Sequence, residues 1–173
     1  SLAVVCVLVA LWFPAVSAGN FCGDLVNSYG PYDYRRDKEK LKIVEQYHLN
    51  ADVEVLRRGM STINVGGDLD YILRAFPNHH RALRAMDNLG RKEKANKTQG
   101  ATYTVECYFD RAIRFAKDDA MVRMLYGVHL ISRDRKREGI EQLRAAETLG
   151  SSSANFHYNL GLAYFDVGQF ESS

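Results

Sequence analysis

Several things are missing from this 173-residue sequence, and each absence removes a class of protein. Strand signals are absent, so an architecture built on a sheet has nothing to start from. There is no HExxH, no G-x-S-x-G, no P-loop and no paired CxxC, so the commonest metalloprotease, hydrolase, nucleotide and zinc motifs have no residues to stand on. An excess of one charge is lacking too: 23 basic and 21 acidic residues leave a net +2, too balanced to argue for nucleic acid or an anionic membrane. The basic residues carry no interleaved aromatic ladder, which argues against single-stranded nucleic acid as a partner. Finally, residues 1–18 contain no charge of either sign.

That last absence has a positive side. Leu2 to Phe13 is an uncharged run of twelve residues, followed by Pro14 and then Val16-Ser17-Ala18. A short apolar run ending in small residues three and one places before a cut is the pattern of a secretory signal peptide, with Gly19 as the new N-terminus. The run is short for a membrane span, which takes roughly 20 residues; an uncleaved anchor or a buried core helix are the other readings. The missing initiator Met and basic n-region suggest that the chain begins as a fragment. Cys6 leaves with the signal, so Cys22 and Cys107 remain. In an oxidising compartment, periplasmic or extracellular, two cysteines most simply form one disulfide. It would restrict the unfolded chain by roughly 4–5 kcal/mol at most. Two buried thiols or a reactive cysteine are the alternatives. After signal removal, no membrane span is expected.

Residues 19–67 read as a lead segment. It opens irregularly and is rich in Gly, Asn and Tyr around Pro31. Arg36 to His48 then carries Leu41, Ile43, Val44 and Tyr47 mostly on one side of a helix. Asn50 can cap a shorter helix bearing Val53, Val55 and Leu56. Gly66-Gly67 is expected to break the chain, and Asp68 to cap the next helix, with Asp70 as a first-turn acid; that helix carries Leu69, Ile72, Leu73 and Phe76 and ends at Pro77. From there the helical period dominates.

The period also repeats at longer range. Leu160-Gly161 falls 34 residues after Tyr126-Gly127, and at the same offset Tyr164 meets Leu130, His157 meets Arg123 and Ala154 meets Ala120. Between them lies a second helix with Leu143, Ala146 and Leu149 on one face. Gly127 and Gly161 have no side chain, so another helix can approach closely; Ala146 plays that part on the second helix, and Leu143, Leu160 and Tyr164 fill the space between. A glycine inside a helix costs about 1 kcal/mol against alanine, so its recurrence argues for packing. A 34-residue unit of two helices with these residues resembles the tetratricopeptide repeat.

The resemblance implies an all-α fold: an α-solenoid of antiparallel helix pairs, a superhelix cut off at its C-terminus. Residues 68–79 would be a half unit, followed by 80–119, 120–153 and a truncated 154–173. The 80–119 unit is over length, and its surplus falls in the polar stretch 91–104, as an inserted turn should. Departures are Lys117 and Ser151 at the closing-proline position, Gly139 where the family has Ala, and Gly90 at an aromatic position. The stretch GGDLDYILRAFPNHHRAL is also similar to exported bacterial proteins carrying such repeats.

The resemblance further implies that the first helices line a concave face that binds a partner protein or peptide. It points Arg81, Arg84, Asn88, Arg91 and Lys92 inward from one unit. Met121, Met124, Val128 and Ile131 follow from the next, and Asn155, Tyr158, Asn159, Leu162 and Phe165 from the last. The groove is then basic at one end and apolar at the other, with adaptable Met and amphipathic Tyr. Arg84 and Asn88 repeat half of a carboxylate clamp; the same arginines also read as a solvated helix face, and the apolar positions as seats for lost C-terminal helices. An assembly subunit, its groove filled by its own chain or a twin, is the second expectation. An enzyme using Cys107 or His79-His80 is the third and least favoured. Adjacent histidines on a helix diverge by about 100°, which argues against shared metal ligation. Neither a metal, a cofactor nor a catalytic residue is expected. Asn96-Lys97-Thr98 is a glycosylation sequon.

Overall fold

The computed structural model describes residues 21–150, 153–166 and 168, without the side chain of Asn155. The expected signal peptide, residues 1–18, lies outside the described residues. Among them the fold is all helical: α1 (Lys38–His48), α2 (Ala51–Glu54), α3 (Val65–Ala75), α4 (His80–Glu93), α5 (Val105–Phe115), α6 (Ala120–Ser132), α7 (Lys136–Leu149) and α8 (Ala154–Asp166). No described helix is long and apolar enough to cross a membrane.

Several helix starts follow from local chemistry. Asn50, Thr104 and Asp119 sit in extended backbone, and their side chains accept the N–H of Val53, Cys107 and Val122, relieving the donors left over at a helix start. Lys94, in the left-handed region at φ 52°, ends α4 and opens the turn that the polar stretch 91–104 predicted.

Two expectations for the start of α3 are corrected. Gly66 and Gly67 do not break the chain; they lie in the first turn of α3, and the helix starts at Val65, three residues before the expected cap. Their lack of a side chain serves close approach. A Cβ on Gly66 would stand 2.2 Å from the carbonyl oxygen of Gln99, and one on Gly67 2.7 Å from Thr62 Oγ1. Nor does Asp68 cap the helix: the cap position is Asn64. Asp68 is fully buried and gathers the preceding loop instead. It accepts the N–H groups of Met60 (2.6 Å), Ser61 (3.1 Å) and Thr62 (3.2 Å), and His48 Nδ1 donates to it at 2.8 Å. Burial pushes its pKa up, but these hydrogen bonds outweigh that and hold it below the ordinary carboxylate value. At the other end of the lead segment, α1 begins at Lys38 rather than Arg36.

The main core gathers Leu69, Ile72, Phe76, Leu83, Met86 and Phe109 with Val44 and Val53 from the lead segment. Burial of each such side chain stabilises by about 1.5–3 kcal/mol. A second cluster joins Met124, Leu143, Ala146, Phe156, Leu160 and Tyr164. Between α6 and α7 the contacts step up one helix as they step down the other. Arg123 Nη1 reaches Gln142 Oε1 at 2.9 Å, Gly127 faces Leu143 and the Gly139 carbonyl, and Ile131 fits over Gly139.

The junctions α3–α4 and α5–α6 are built alike, 40 residues apart. Phe76 N–H donates to Ile72 O at 2.7 Å, and Ala116 N–H to Ala112 O at 2.9 Å. His79 N–H donates to Phe76 O at 3.0 Å, and Asp119 N–H to Ala116 O at 3.1 Å. The side chains of His79 and Asp119 then accept the N–H of Ala82 and Val122. Even the pairs Arg74–Asp70 (2.8 Å) and Arg114–Asp110 (2.7 Å) correspond. The backbone bond that closes the first turn of each following helix, from Leu83 to His79 and from Arg123 to Asp119, is the one found at other helix starts as well.

The irregular residues 21–37 lie against this frame by borrowing its polar groups. Tyr32 N–H donates to Ala75 O at 2.8 Å, and Tyr34 N–H to Asn78 Oδ1 at 2.9 Å. Arg111, 1% exposed, donates to the carbonyls of Cys22 and Asp24 under a ring contact with Tyr103. Cys22 and Cys107 stand at disulfide distance, with Sγ–Sγ 2.12 Å.

Candidate functional site

The faces of α4, α6 and α8 meet in a concave groove enclosing about 270 Å³. Seven residues expected in a groove line it together: Arg84 and Asn88 from α4, Met121, Met124 and Val128 from α6, and Asn159 and Leu162 from α8. The apolar floor is continuous with the second core cluster, against which Met121 and Val128 pack. Arg91 also reaches the groove, as expected, while Lys92 turns away and donates to Leu56 O.

The charged residues here are not equivalent. Asp87 is buried; its carboxylate accepts from His129 Nδ1 at 2.7 Å and pairs with Arg91 at 3.2 Å. Arg91 also donates to Asn88 Oδ1. Arg84 is exposed and makes no hydrogen bond or ion pair among the described residues. A guanidinium fork of this kind is suited to a carboxylate brought by another molecule.

Four further expected groove residues sit elsewhere. Arg81 is held by the lead segment, pairing with Glu45 at 3.1 Å and Glu54 at 2.8 Å. A hydrogen bond from His79 holds the Glu45 carboxyl below its ordinary pKa, with the charge of Arg81 adding to it, and the Arg81 hydrogen bond does the same at Glu54. Ile131 is turned into the α6–α7 contact, because glycine at 139 leaves room for it: a Cβ there would be 2.6 Å from Ile131 Cγ1. Tyr158 and Phe165 are exposed on α8 beside the groove, at 67% and 57%. The side chain of Asn155 lies outside the described residues.

Of the expected packing residues, Leu143, Ala146, Leu160 and Tyr164 are buried together. Gly127 has the close approach its type implies, Leu143 Cδ2 lying 2.8 Å from a Cβ placed there. Gly161 does not: a Cβ would meet nothing within 4 Å. The physical reason is that Gly161 lies on a face of α8 that no described helix covers.

The sequence missed Asp87, Phe109, Leu125, Ala163 and Asp166, which also line the groove. The Asp87–His129 link had a faint signal, an acid and a histidine on apolar faces of α4 and α6.

His79 and His80 each face a carboxylate. His79 is fully buried; its Nδ1 accepts the N–H of Ala82, so Nε2 carries the proton donated to Glu45 at 3.0 Å. Burial lowers its pKa, with Glu45 opposing. His80 faces Asp119 at 2.9 Å. No cluster of three metal-ligating side chains occurs among the described residues. No family model, no curated protein and no solved structure matches the chain.

Proposed function

We propose that the chain is an exported protein-interaction module of the tetratricopeptide-repeat kind, an α-solenoid of antiparallel helix pairs that holds a segment of a partner polypeptide in the groove of α4, α6 and α8. The single observation that carries this is the convergence of Arg84, Asn88, Met121, Met124, Val128, Asn159 and Leu162 on one cavity. Repetition of the α3–α4 junction at α5–α6 supports the unit structure. Disulfide distance between Cys22 and Cys107 supports export.

The mechanism is recognition without bond chemistry. Met121 and Met124 reshape around an apolar side chain, Asn88 offers its amide nitrogen to an extended backbone, and Arg84 waits for a carboxylate. Neither a cofactor, a catalytic residue nor nucleic acid enters.

A second proposal, an assembly subunit, draws on a specific feature: Tyr158, Leu162 and Phe165 form an exposed apolar stripe along α8.

The test is retention of a polypeptide from the native extracytoplasmic fraction by the immobilised chain. Val128→Glu and Arg84→Ala strike the groove, and Glu141→Ala on exposed α7 is the control. Partner recovery should fall about tenfold with Val128→Glu and stay unchanged with the control. Equal recovery by all three variants would remove the groove from the function, and a mass that doubles with concentration would favour the assembly subunit.

A further inference from the structure

A second pocket, of about 390 Å³, opens on a different edge of the molecule. It lies between Phe21 of the lead segment, the start of α5 and the turn from α6 to α7. Two arginines reach it, and they are in opposite states. Arg135 is saturated: its fork donates to Glu106 at 2.7 Å and twice to Glu138, at 2.6 and 2.8 Å. Glu106 is equally satisfied, taking the Tyr126 hydroxyl at 2.8 Å as well, so its charge is already met. Arg133, two residues earlier, is half-buried and makes no side-chain hydrogen bond or ion pair among the described residues; its Nε is shut off from solvent without a partner.

The position of Arg133 follows from a departure in the repeat. At the register held by Leu130 in α6 and Tyr164 in α8, α4 carries Gly90. A Cβ at Gly90 would lie 2.8 Å from Val105 Cγ2 and 3.5 Å from Arg133 Nη2. The space a large side chain fills in the other helices is thus shared by a valine and an edge of the guanidinium. A half-buried cation without a counter-charge is unfavourable, and an anion from outside would complete it.

The other walls suit the same ligand. Asn96 presents a carboxamide with no hydrogen-bond partner among the described residues. Thr104 Oγ1 accepts the N–H of Cys107 and keeps its own hydroxyl proton for donation. Phe21, 90% exposed, and Val105 supply an apolar side.

We propose that this pocket binds a small oxyanion carried on an apolar body, a carboxylate or a phosphate monoester. The charged head meets the Arg133 fork, with Asn96 and Thr104 as further donors. The body lies against Phe21 and Val105. The site is independent of the groove of α4, α6 and α8.

The test is calorimetric titration of the full chain with benzoate, phenyl phosphate and inorganic phosphate, against sodium chloride at equal ionic strength. At least one aromatic anion should bind saturably, and the tighter of the two identifies the head group. Arg133→Met, which keeps the aliphatic stem, should weaken that binding about tenfold or more, and Arg133→Lys, which keeps the charge but not the fork, by less. Phe21→Ala should weaken phenyl phosphate and leave inorganic phosphate unchanged. Circular dichroism of each variant checks that it is folded. The proposal is overturned if neither aromatic anion binds saturably, or if a folded Arg133→Met or Arg133→Lys and the wild type bind alike with no loss in either.

Discussion

Residues 21–119 and residues 120–166 hold themselves together by different means. Of the buried polar side chains, Asp68, Asp70, Asn78, His79, Asp87, Thr98, Arg111 and Asp119 fall in the first region, and only His129 among the described residues falls in the second. The first region contains long stretches outside helices, and only some of their backbone groups are met within their own segment, as Asp37 N–H is by Asp33 O. Side chains on the helices and in the turn before α4 supply partners for others. Asn78 serves Tyr34, Asp33 and Asp119; Asp70 serves Thr102 and Tyr108; Arg111 serves Cys22 and Asp24. The described residues of the second region are nearly all helical, and they are fitted by size: Gly127 and Gly139 against Leu143 and Ile131, with Ala146, Phe156 and Leu160 beside them. Irregular chain demands polar anchors, whereas stacked helices demand small residues at the right places.

The sharpest way to break this contrast is at Asp68. Asp68→Ala leaves three loop N–H groups and His48 without their acceptor in a fully buried place, so a loss of about 3–5 kcal/mol is expected. Urea unfolding measures it, and hydrogen exchange at Met60, Ser61 and Thr62 should show the loop opening first. A loss below about 1 kcal/mol would mean that apolar contacts hold the loop and that polar anchoring of the first region is overstated.

The two regions were also unequally legible. From His80 onward the 3.6 period and the 34-residue offset signal helices where α4, α6, α7 and α8 lie, because helical packing writes itself into local spacing. The repeat register that the resemblance implies put Arg84, Asn88, Met124 and Val128 on one face, and these four side chains line one cavity. Arg81 shares that face yet is claimed by Glu45 and Glu54, 36 and 27 residues away, and nothing local announces such a partner. Ile131 was misplaced because glycine at 139 opens a seat for it on the neighbouring helix. In the first region Gly66-Gly67 and Asp68 carry the ordinary signs of a break and a cap. Their real work depends on Gln99 and on loop 60–62, contacts that only the folded chain brings together. Arg111 is the extreme case: its acceptors lie 87 and 89 residues upstream.

Within the second region, Gly127→Ala tests the fit by size. The added methyl would stand 2.8 and 2.9 Å from two atoms of Leu143 and 3.0 Å from the Gly139 carbonyl, which belongs to the backbone and cannot swing aside. The overpacking penalty of about 1–3 kcal/mol should exceed the helix-propensity gain, giving a net loss readable by thermal unfolding. A gain would show that α6 and α7 can part at little cost, and size matching would cease to explain this region.

Gly161→Ala is the smallest effect and the most discriminating, because it puts the same change at the matching place, 34 residues on. Here a Cβ meets nothing within 4 Å, so the propensity of alanine acts alone and should raise stability by about 1 kcal/mol. Opposite signs at Gly127 and Gly161 would mean that a shared residue type at a shared register is used in one helix pair and idle on α8. That requires the Gly161 face to be open in solution, as it is beside the exposed Leu162 and Phe165. If Gly161→Ala instead destabilises, something packs on that face. A sedimentation run on the same sample then decides whether it is a second copy of the chain, since a subunit contact would lose its dimer as the methyl enters.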